Sequence, residues 1–313
     1  MSVRGQRVFV ATVALGAASG CFALADLSRF DPAPQALTDD DGGTPTGDAA
    51  GNGPLSLRFQ MHGMNPHPTE YFEYRIIDSA NVIQSRGVAN PLGANDVTIN
   101  APNSIPRRGG PYRIDFFADH NRSGEDGRVP FDRIGPITDD HAWRIEGIDE
   151  GPNPDKGLSV EGNTVVIDYV HDPVFTDIDT DLTGAKKPAQ SFGLDATISF
   201  TGMDAYLATD GKKRLVEVRI QTADATPSLS CLYRLPSVKE KAFDMVVPGC
   251  VEPGASYRIN VYIDKNGDGT YDNPAITSLD EGWTALQDAK EDGLNVTLDP
   301  ATVASRKVDV GPP

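Results

Sequence analysis

Oxygen-bearing side chains recur at every second position after a strand-like run near the C-terminus. They are Asp264, Asn266, Asp268 and, further on, Asp272. Gly269 lies where the backbone must turn sharply. A hard cation takes about six to eight oxygen ligands, and side chains at alternate positions point toward the same centre. The stretch therefore predicts a calcium site.

An earlier segment repeats this pattern with fewer carboxylates. Its candidate ligands are Asp119, Asn121, Ser123 and Asp126. Ser123 stands where the later loop has an aspartate, and Asp126 is out of step with the alternation. We treat this segment as a second calcium candidate. An acidic surface turn without metal is the alternative for both loops.

Both loops resemble the β-linked Asp-x-Asn-x-Asp-Gly calcium loops of extracellular modules over about nine residues. An EF-hand would have a carboxylate at the twelfth loop position and flanking helices. Here that position is Ala275 in one loop and Pro130 in the other, and a strand-like run precedes each loop. The resemblance implies that a completing carboxylate comes from elsewhere in the chain. The natural donors are Asp139, Asp140, Asp280 and Glu281.

The five histidines all lie between residues 55 and 175, in the first of two repeated units: His62, His67, His120, His141 and His171. The run from Met61 to His67 mixes imidazole and thioether, the ligand types that copper selects. However, Gly-Met recurs in the second half without histidine, so we expect Met64 to be structural. Histidines spread this widely need not converge. A copper or other transition-metal site is therefore the second hypothesis.

The N-terminus has the pattern of an export signal. Arg4 and Arg7 precede a short apolar run that ends in small residues before Cys21. Such a run is too short to span a bilayer and is typical of a cleaved secretory signal. We therefore predict a signal peptide over residues 1–20.

The sequence Ala-Ser-Gly-Cys that ends at Cys21 resembles the lipobox of bacterial lipoproteins, although Ala18 replaces the usual leucine. The resemblance implies that Cys21 is lipidated, becomes the first mature residue and anchors the protein to a membrane. The residue after the cysteine is Phe22, whereas an aspartate at this position retains enteric lipoproteins at the inner membrane. The implied location is therefore the outer membrane of a Gram-negative cell envelope. An ordinary cleaved signal with an incidental cysteine is the alternative.

With Cys21 lipidated, Cys231 and Cys250 are the two cysteines that remain. An exported compartment favours their pairing in a disulfide, and two free thiols are the alternative.

Short alternating apolar runs separated by Gly, Pro, Asn and Asp predict an all-β protein. We expect two tandem Ig-like or prealbumin-like β-sandwich domains after a disordered tether, whose composition offers little to bury. The predicted ranges are 1–20 for the signal peptide, 21–54 for the lipidated cysteine and tether, 55–175 for the first sandwich, 176–190 for a linker and 191–313 for the second sandwich.

Several matched features indicate an internal duplication. Met64 and Met203 each follow a glycine, a Tyr-Arg-Ile triplet occurs in each half, and Trp143 and Trp283 follow the methionines at nearly equal distances. Each unit is expected to bury its own core around its tryptophan, with a ligand platform as the alternative. A capping-box pattern at 278–281 predicts a helix around Trp283, but the repeat favours a strand there.

The formal charge of −17 and the lack of a basic cluster exclude nucleic-acid binding. The sequence has no nucleophile elbow, no His-Glu-x-x-His motif and no phosphate loop, so we do not expect an enzyme. The leading interpretation is a lipid-anchored, calcium-binding module with a binding or structural role at the cell envelope, where an envelope protein or glycan would be its partner. The alternatives are a copper- or transition-metal-handling lipoprotein and an unrecognised hydrolase that uses paired carboxylates.

Overall fold

Alternating burial along the chain builds strands, as in β1, where every second side chain from Leu55 to Met61 is buried. The computed structural model describes residues 53–122, 139–176, 178, 193–209, 211–269, 272, 279–305 and 308. The predicted signal peptide, Cys21, most of the tether and most of the linker lie outside these ranges.

The first half of the described chain forms eight strands: β1 (Leu55–His62), β2 (Phe72–Ile77), β3 (Ile83–Ala89), β4 (Val97–Ile105), β5 (Arg113–Ala118), β6 (His141–Glu146), β7 (Leu158–Glu161) and β8 (Thr164–Val170). The second half forms seven: β9 (Leu194–Phe200), β10 (Val216–Thr222), β11 (Leu229–Leu235), β12 (Phe243–Val251), β13 (Ser256–Ile263), β14 (Glu281–Asp288) and β15 (Leu294–Leu298). The described helical segments are short 3₁₀ turns at Pro154–Lys156 and Met203–Tyr206. In this part of the chain no helix is long and apolar enough to cross a membrane. The predicted all-β class is confirmed.

The strands form three sheets that repeat one topology. A four-stranded sheet has the order β4-β1-β8-β7, and a three-stranded sheet has the matching order β12-β9-β15. A single eight-stranded sheet, β14-β13-β10-β11-β3-β2-β5-β6, contributes the second layer of both sandwiches. Its order reads symmetrically outward from the β3–β11 pair, so each half is a copy of the same unit. The sandwich fold and the duplication agree with the sequence.

The central β3–β11 pair is parallel and has residues of both cores on its two faces. On β11, Leu232 packs into the first core, whereas its neighbours Cys231 and Tyr233 pack into the second. Because neighbouring side chains on a strand point to opposite faces, the two smaller sheets cover opposite faces of the long sheet.

Each hydrophobic core therefore includes side chains from both halves of the chain. Leu229 and Leu232 belong to the first core, and Val88 belongs to the second. This packing differs from the expectation that each unit buries a core from its own residues alone, because the two central strands are shared. The predicted residue boundaries of the two units stay predictions.

Two arginines, the buried Arg86 and the half-buried Arg234, each connect one half of the chain to the small sheet of the other half. Arg86 donates to the carbonyl of Pro248 on β12, while its Nε lies 2.9 Å from a Glu73 carboxylate oxygen. In the opposite direction, Arg234 donates to the carbonyl of Thr98 on β4 at 2.8 Å. A buried guanidinium is tolerated when its hydrogen bonds and its charge are satisfied. These contacts favour unfolding of the two halves together.

The predicted disulfide between Cys231 and Cys250 is confirmed, with a Cα–Cα distance of 5.9 Å. It joins the long sheet to β12 inside the second core. Closing a loop with a sequence separation of 19 residues stabilises the fold by about 3 kcal/mol in the chain-entropy model.

Both tryptophans are core residues, as expected. Trp143 and Trp283 are 3% and 1% exposed. Their indole N–H groups donate to the carbonyls of Asp172 and Val303, respectively. Trp283 lies on β14, so the strand assignment is confirmed and the helix suggested by the capping box is wrong.

Candidate metal centres

Four of the five histidines meet at one end of the first unit. His67 lies in the loop after β1, His120 follows β5, His141 begins β6 and His171 follows β8. Strands β1 and β8 run parallel, and β5 pairs antiparallel with β6. The four positions therefore lie at one edge of the sandwich, where strand ends bring distant parts of the sequence together.

The ring nitrogens are spaced as ligands of one ion would be. His67 Nε2 lies 3.2 Å from His171 Nε2 and 3.3 Å from His141 Nδ1. One ligand atom from each of His67, His120 and His141 lies within 4.8 Å of the other two. Two nitrogens at about 2.0–2.1 Å from a tetrahedral ion are about 3.3–3.4 Å apart. The observed contacts around His67 match this separation.

Glu70 orients two of the four rings. Its carboxylate oxygens lie 2.7 Å from His67 Nδ1 and 2.8 Å from His120 Nδ1. Because a carboxylate accepts hydrogen bonds, each Nδ1 carries a proton and each neutral ring has its lone pair at Nε2. A carboxylate that holds a histidine in this way is the usual outer partner of a metal ligand.

Burial favours the neutral, metal-binding form of two of the imidazoles, those of His141 and His171. His67 is 0% exposed and His141 is 7% exposed. Burial, followed by the proximity of His120 and His67, lowers the pKa of His141 to about 4. Burial also lowers the pKa of His171. Neutral imidazole is the ligand species for transition metals.

One ring nitrogen in the cluster lacks a hydrogen bond within the described part of the chain. His141 Nε2 is buried there without a partner. The nitrogen of His141 that faces His67 is Nδ1, so an ion at the centre would bind Nδ1 and Nε2 would need another partner. The aromatic ring of Phe175 stacks on His141 at a centroid distance of 3.9 Å, and Trp143 packs against His67 at 5.6 Å. Apolar rings thus pack against two of the histidines, while the His120 side chain is 26% exposed.

The remaining histidine and the nearby methionines do not join this centre. His62 is half exposed and lies between Asp96 and Asp168, at 3.2 and 3.1 Å. Met61 and Met64 are fully buried in the first core, which agrees with the structural interpretation of Met64. The donor set is therefore imidazole nitrogen without thioether. Such a set suits Zn²⁺, Cu²⁺ and Ni²⁺ better than Cu⁺.

The acidic loop after β13 is held by hydrogen bonds to its own backbone. The Asp264 carboxylate is 1% exposed and accepts from the backbone N–H groups of Gly267 at 2.6 Å and Gly269 at 2.9 Å. Burial raises the pKa of Asp264, and the nearby carboxylates of Asp280 and Asp268 raise it further. Three carboxyl groups therefore lie close together at this loop.

Asp280 reaches the loop from the start of β14, as the sequence suggested. Its carboxylate accepts from the backbone N–H of Lys265 at 3.0 Å and of Asp272 at 2.8 Å. The Asn266 amide donates to Asp268 and Asp272, both at 2.9 Å. The predicted ligand residues are therefore neighbours, but calcium at this loop stays a prediction. Among the described residues, His67, His120 and His141 form the group in which one possible metal-ligand atom from each side chain lies within 4.8 Å of the other two.

The first acidic loop is described only at its two ends. Asp119 and Asp140 are both buried, and the Asn121 backbone N–H lies 3.4 Å from an Asp140 oxygen. Ser123 and Asp126 lie outside the described residues. The described start of this loop also carries His120, which belongs to the histidine centre.

Sequence reasoning left the convergence of the histidines open and missed Glu70. The available signals were local: a His-x-x-Glu spacing from His67 to Glu70, and histidines directly beside predicted strand ends. Neither signal shows which strand ends are neighbours in space.

No known protein family matches this chain, and no curated protein is significantly similar to it. Among solved structures, the Bacillus anthracis TIE protein matches with a TM-score of 0.21 and 10% identity, over 80% of this chain and 34% of that protein. A mutant of the shaft pilin spaA from Lactobacillus rhamnosus GG matches with a TM-score of 0.17 and 11% identity, over 80% of this chain and 99% of the pilin. The chain thus spans about a third of the TIE protein. Similarities this weak carry no argument about function.

Proposed function

We propose that this chain is an exported β-sandwich module that binds one divalent transition-metal ion in its first unit. His67, His120 and His141 supply three nitrogen ligands, and His171 supplies the fourth. The observation that carries the proposal is the contact of His67 Nε2 with two other imidazole nitrogens at 3.2 and 3.3 Å. The transition-metal interpretation, second in the sequence analysis, therefore becomes the leading one.

The geometry favours binding over catalysis. A structural metal site is closed by four protein ligands, whereas a catalytic site keeps one position open for water or substrate. With His171 as the fourth ligand beside the three converging histidines, four imidazoles would fill a tetrahedral shell, and Trp143 and Phe175 pack against His67 and His141. We therefore propose a non-catalytic role.

Zinc titration of the purified chain tests this proposal. The wild-type chain is expected to bind one Zn²⁺ per chain in isothermal titration calorimetry. H67A removes the central ligand, so its affinity should fall by at least about 100-fold, beyond the loss caused by removing an outer partner. H62A is the matched control, because His62 is an exposed histidine outside the centre. Equal affinities of H67A and wild type would refute the site.

We further propose that the module is anchored to the outer membrane of a cell envelope through lipidated Cys21, with the tether spacing it from the membrane. The −17 charge argues against attraction to an anionic lipid surface, so the anchor is the main source of membrane attachment. Its partner there would be an envelope protein or a glycan.

The anchor proposal predicts the behaviour of Cys21→Ala. This variant is expected to leave the membrane fraction and appear in the soluble fraction, because a lipid chain contributes about 0.8 kcal/mol per buried CH₂ group. Fractionation followed by immunoblotting measures the change. Retention of the variant in salt-washed membranes would contradict lipidation.

Calcium binding at the second loop is retained as an accompanying proposal, supported by the proximity of Asp264, Asp268 and Asp280. Calcium is expected to raise the melting temperature relative to a chelator that removes it, because only the folded chain brings these carboxylates together. Asp264→Ala should remove most of the increase. Differential scanning calorimetry at matched ionic strength measures it. An equal melting temperature of the wild-type chain with and without calcium would refute this site.

A further inference from the structure

The duplicated fold identifies the counterparts of three metal-centre positions in the second unit. His141 pairs with Ala118 on β5, and Glu281 pairs with Ile263 on the equivalent strand β13. His141 and Glu281 therefore occupy the same place, each two residues before the unit's tryptophan.

The other two positions follow from the same comparison. His120 and Lys265 each follow a buried aspartate, whose backbone N–H donates to the residue just before β2 or β10. His67 and Tyr206 each lie three residues after a fully buried methionine that follows a glycine with positive φ. The counterparts of His67, His120 and His141 are thus Tyr206, Lys265 and Glu281.

In the second unit these three side chains bind one another without a metal. The Lys265 ammonium forms an ion pair with Glu281, and the Tyr206 hydroxyl donates to the same carboxylate. The Glu281 side chain is 11% exposed and that of Lys265 is 35% exposed. The ion pair of Lys265 and Glu281, together with the Tyr206 hydroxyl, therefore connects the loop after β9, the end of β13 and the start of β14.

We infer that the metal ion of the first unit is a resident structural cation that takes the place of the Lys265 ammonium of the second. The inference rests on the proposed metal binding and says what the ion does there. It would connect the loop after β1, the end of β5 and the start of β6, which are the same three segments. His171 adds a fourth segment, the end of β8.

The charges of the two sites support this equivalence. Glu70 is 4% exposed and lies against two histidines, while Glu281 is 8% exposed and lies against Lys265. A buried carboxylate is costly without a counter-charge. Neutral imidazoles that bind a divalent ion supply that charge in the first unit, as the ammonium does in the second. An ion with this role stays bound, whereas a transported ion must leave.

The inference is tested by placing the residue types of Tyr206, Lys265 and Glu281 at the three equivalent histidine positions of the first unit. The variant H67Y/H120K/H141E is expected to bind no Zn²⁺ at this centre and to melt at a higher temperature than metal-free wild type. The matched control H67A/H120A/H141A loses the ligands without gaining a cation, so it should melt no higher than metal-free wild type. Calorimetry with and without Zn²⁺ measures all three proteins. A transplanted variant no more stable than the alanine control would overturn the inference.

The reverse transplant gives an independent test if that variant does not fold. Y206H/K265H/E281H is expected to raise the zinc stoichiometry from one to two per chain. A stoichiometry that stays at one would contradict the equivalence of the two sites.

The wild-type chain separates failure of this inference from failure of the proposed function. If wild type binds Zn²⁺ but H67Y/H120K/H141E is no more stable than the alanine control, the metal-binding proposal stands and the inference fails. If wild type binds no Zn²⁺, the metal-binding proposal fails and the inference fails with it.

Discussion

A thousandfold excess of free Zn²⁺ over its dissociation constant is expected to raise the melting temperature of the wild-type chain by about 10 °C. A ligand at this excess that binds only the folded state stabilises it by about 4 kcal/mol. For a folded region of this size, each kcal/mol corresponds to about 2–4 °C. The four histidines come from sequence positions as far apart as His67 and His171, so the unfolded chain cannot present them together.

His67→Ala should abolish this increase, because His67 Nε2 is the nitrogen that contacts two other rings. His62→Ala should leave it unchanged. Differential scanning calorimetry with a zinc buffer on one side and a chelator on the other measures both variants. An increase that survives His67→Ala would show that zinc binds elsewhere.

Leu232→Ala is expected to destabilise both units in one cooperative transition, by about 2–5 kcal/mol. Leu232 lies on β11 of the second unit but is fully buried in the first core. The cavity left by the mutation therefore opens in the first unit, and the shared long sheet transmits the loss to the second.

The two tryptophans report on the two cores separately. In a W283F background Trp143 follows the first core, and in a W143F background Trp283 follows the second. Urea denaturation should give coincident transitions that Leu232→Ala shifts together. Leu286→Ala is the control, because that leucine is 46% exposed. Separate transitions, with only one shifted, would show that the units unfold independently.

Much of the fold could be predicted from local patterns. Alternation in Leu55–His62 indicates a strand, and the repeated Gly-Met pairs and tryptophans indicate the duplication. The parallel pairing of β3 with β11 is a long-range contact that no local pattern specifies. In agreement with this pairing, Leu229 to Tyr233 of β11 are all buried, as is typical of a strand with packing on each side.

The two candidate sites also differ in how well local sequence patterns predict them. The Asp264 loop could be recognised because its candidate ligands are close in sequence, and Asp280 is among the carboxylates that the sequence suggests as further donors. The histidine centre depends on which strand ends are adjacent, so the spacing from His67 to His171 contains no signal of it. In the first loop, the calcium pattern includes Asp119 but not His120 beside it, although His120 is the residue that joins the histidine centre.

Metal analysis of the chain purified from its native cells without added metal tests the central claim most directly. Inductively coupled plasma mass spectrometry is expected to find one divalent transition-metal ion per wild-type chain and none at this centre in H67A/H141A, with H62A equal to wild type. A wild-type chain without a stoichiometric transition metal, or a double variant that keeps it, would contradict the assignment of the four histidines as a metal centre.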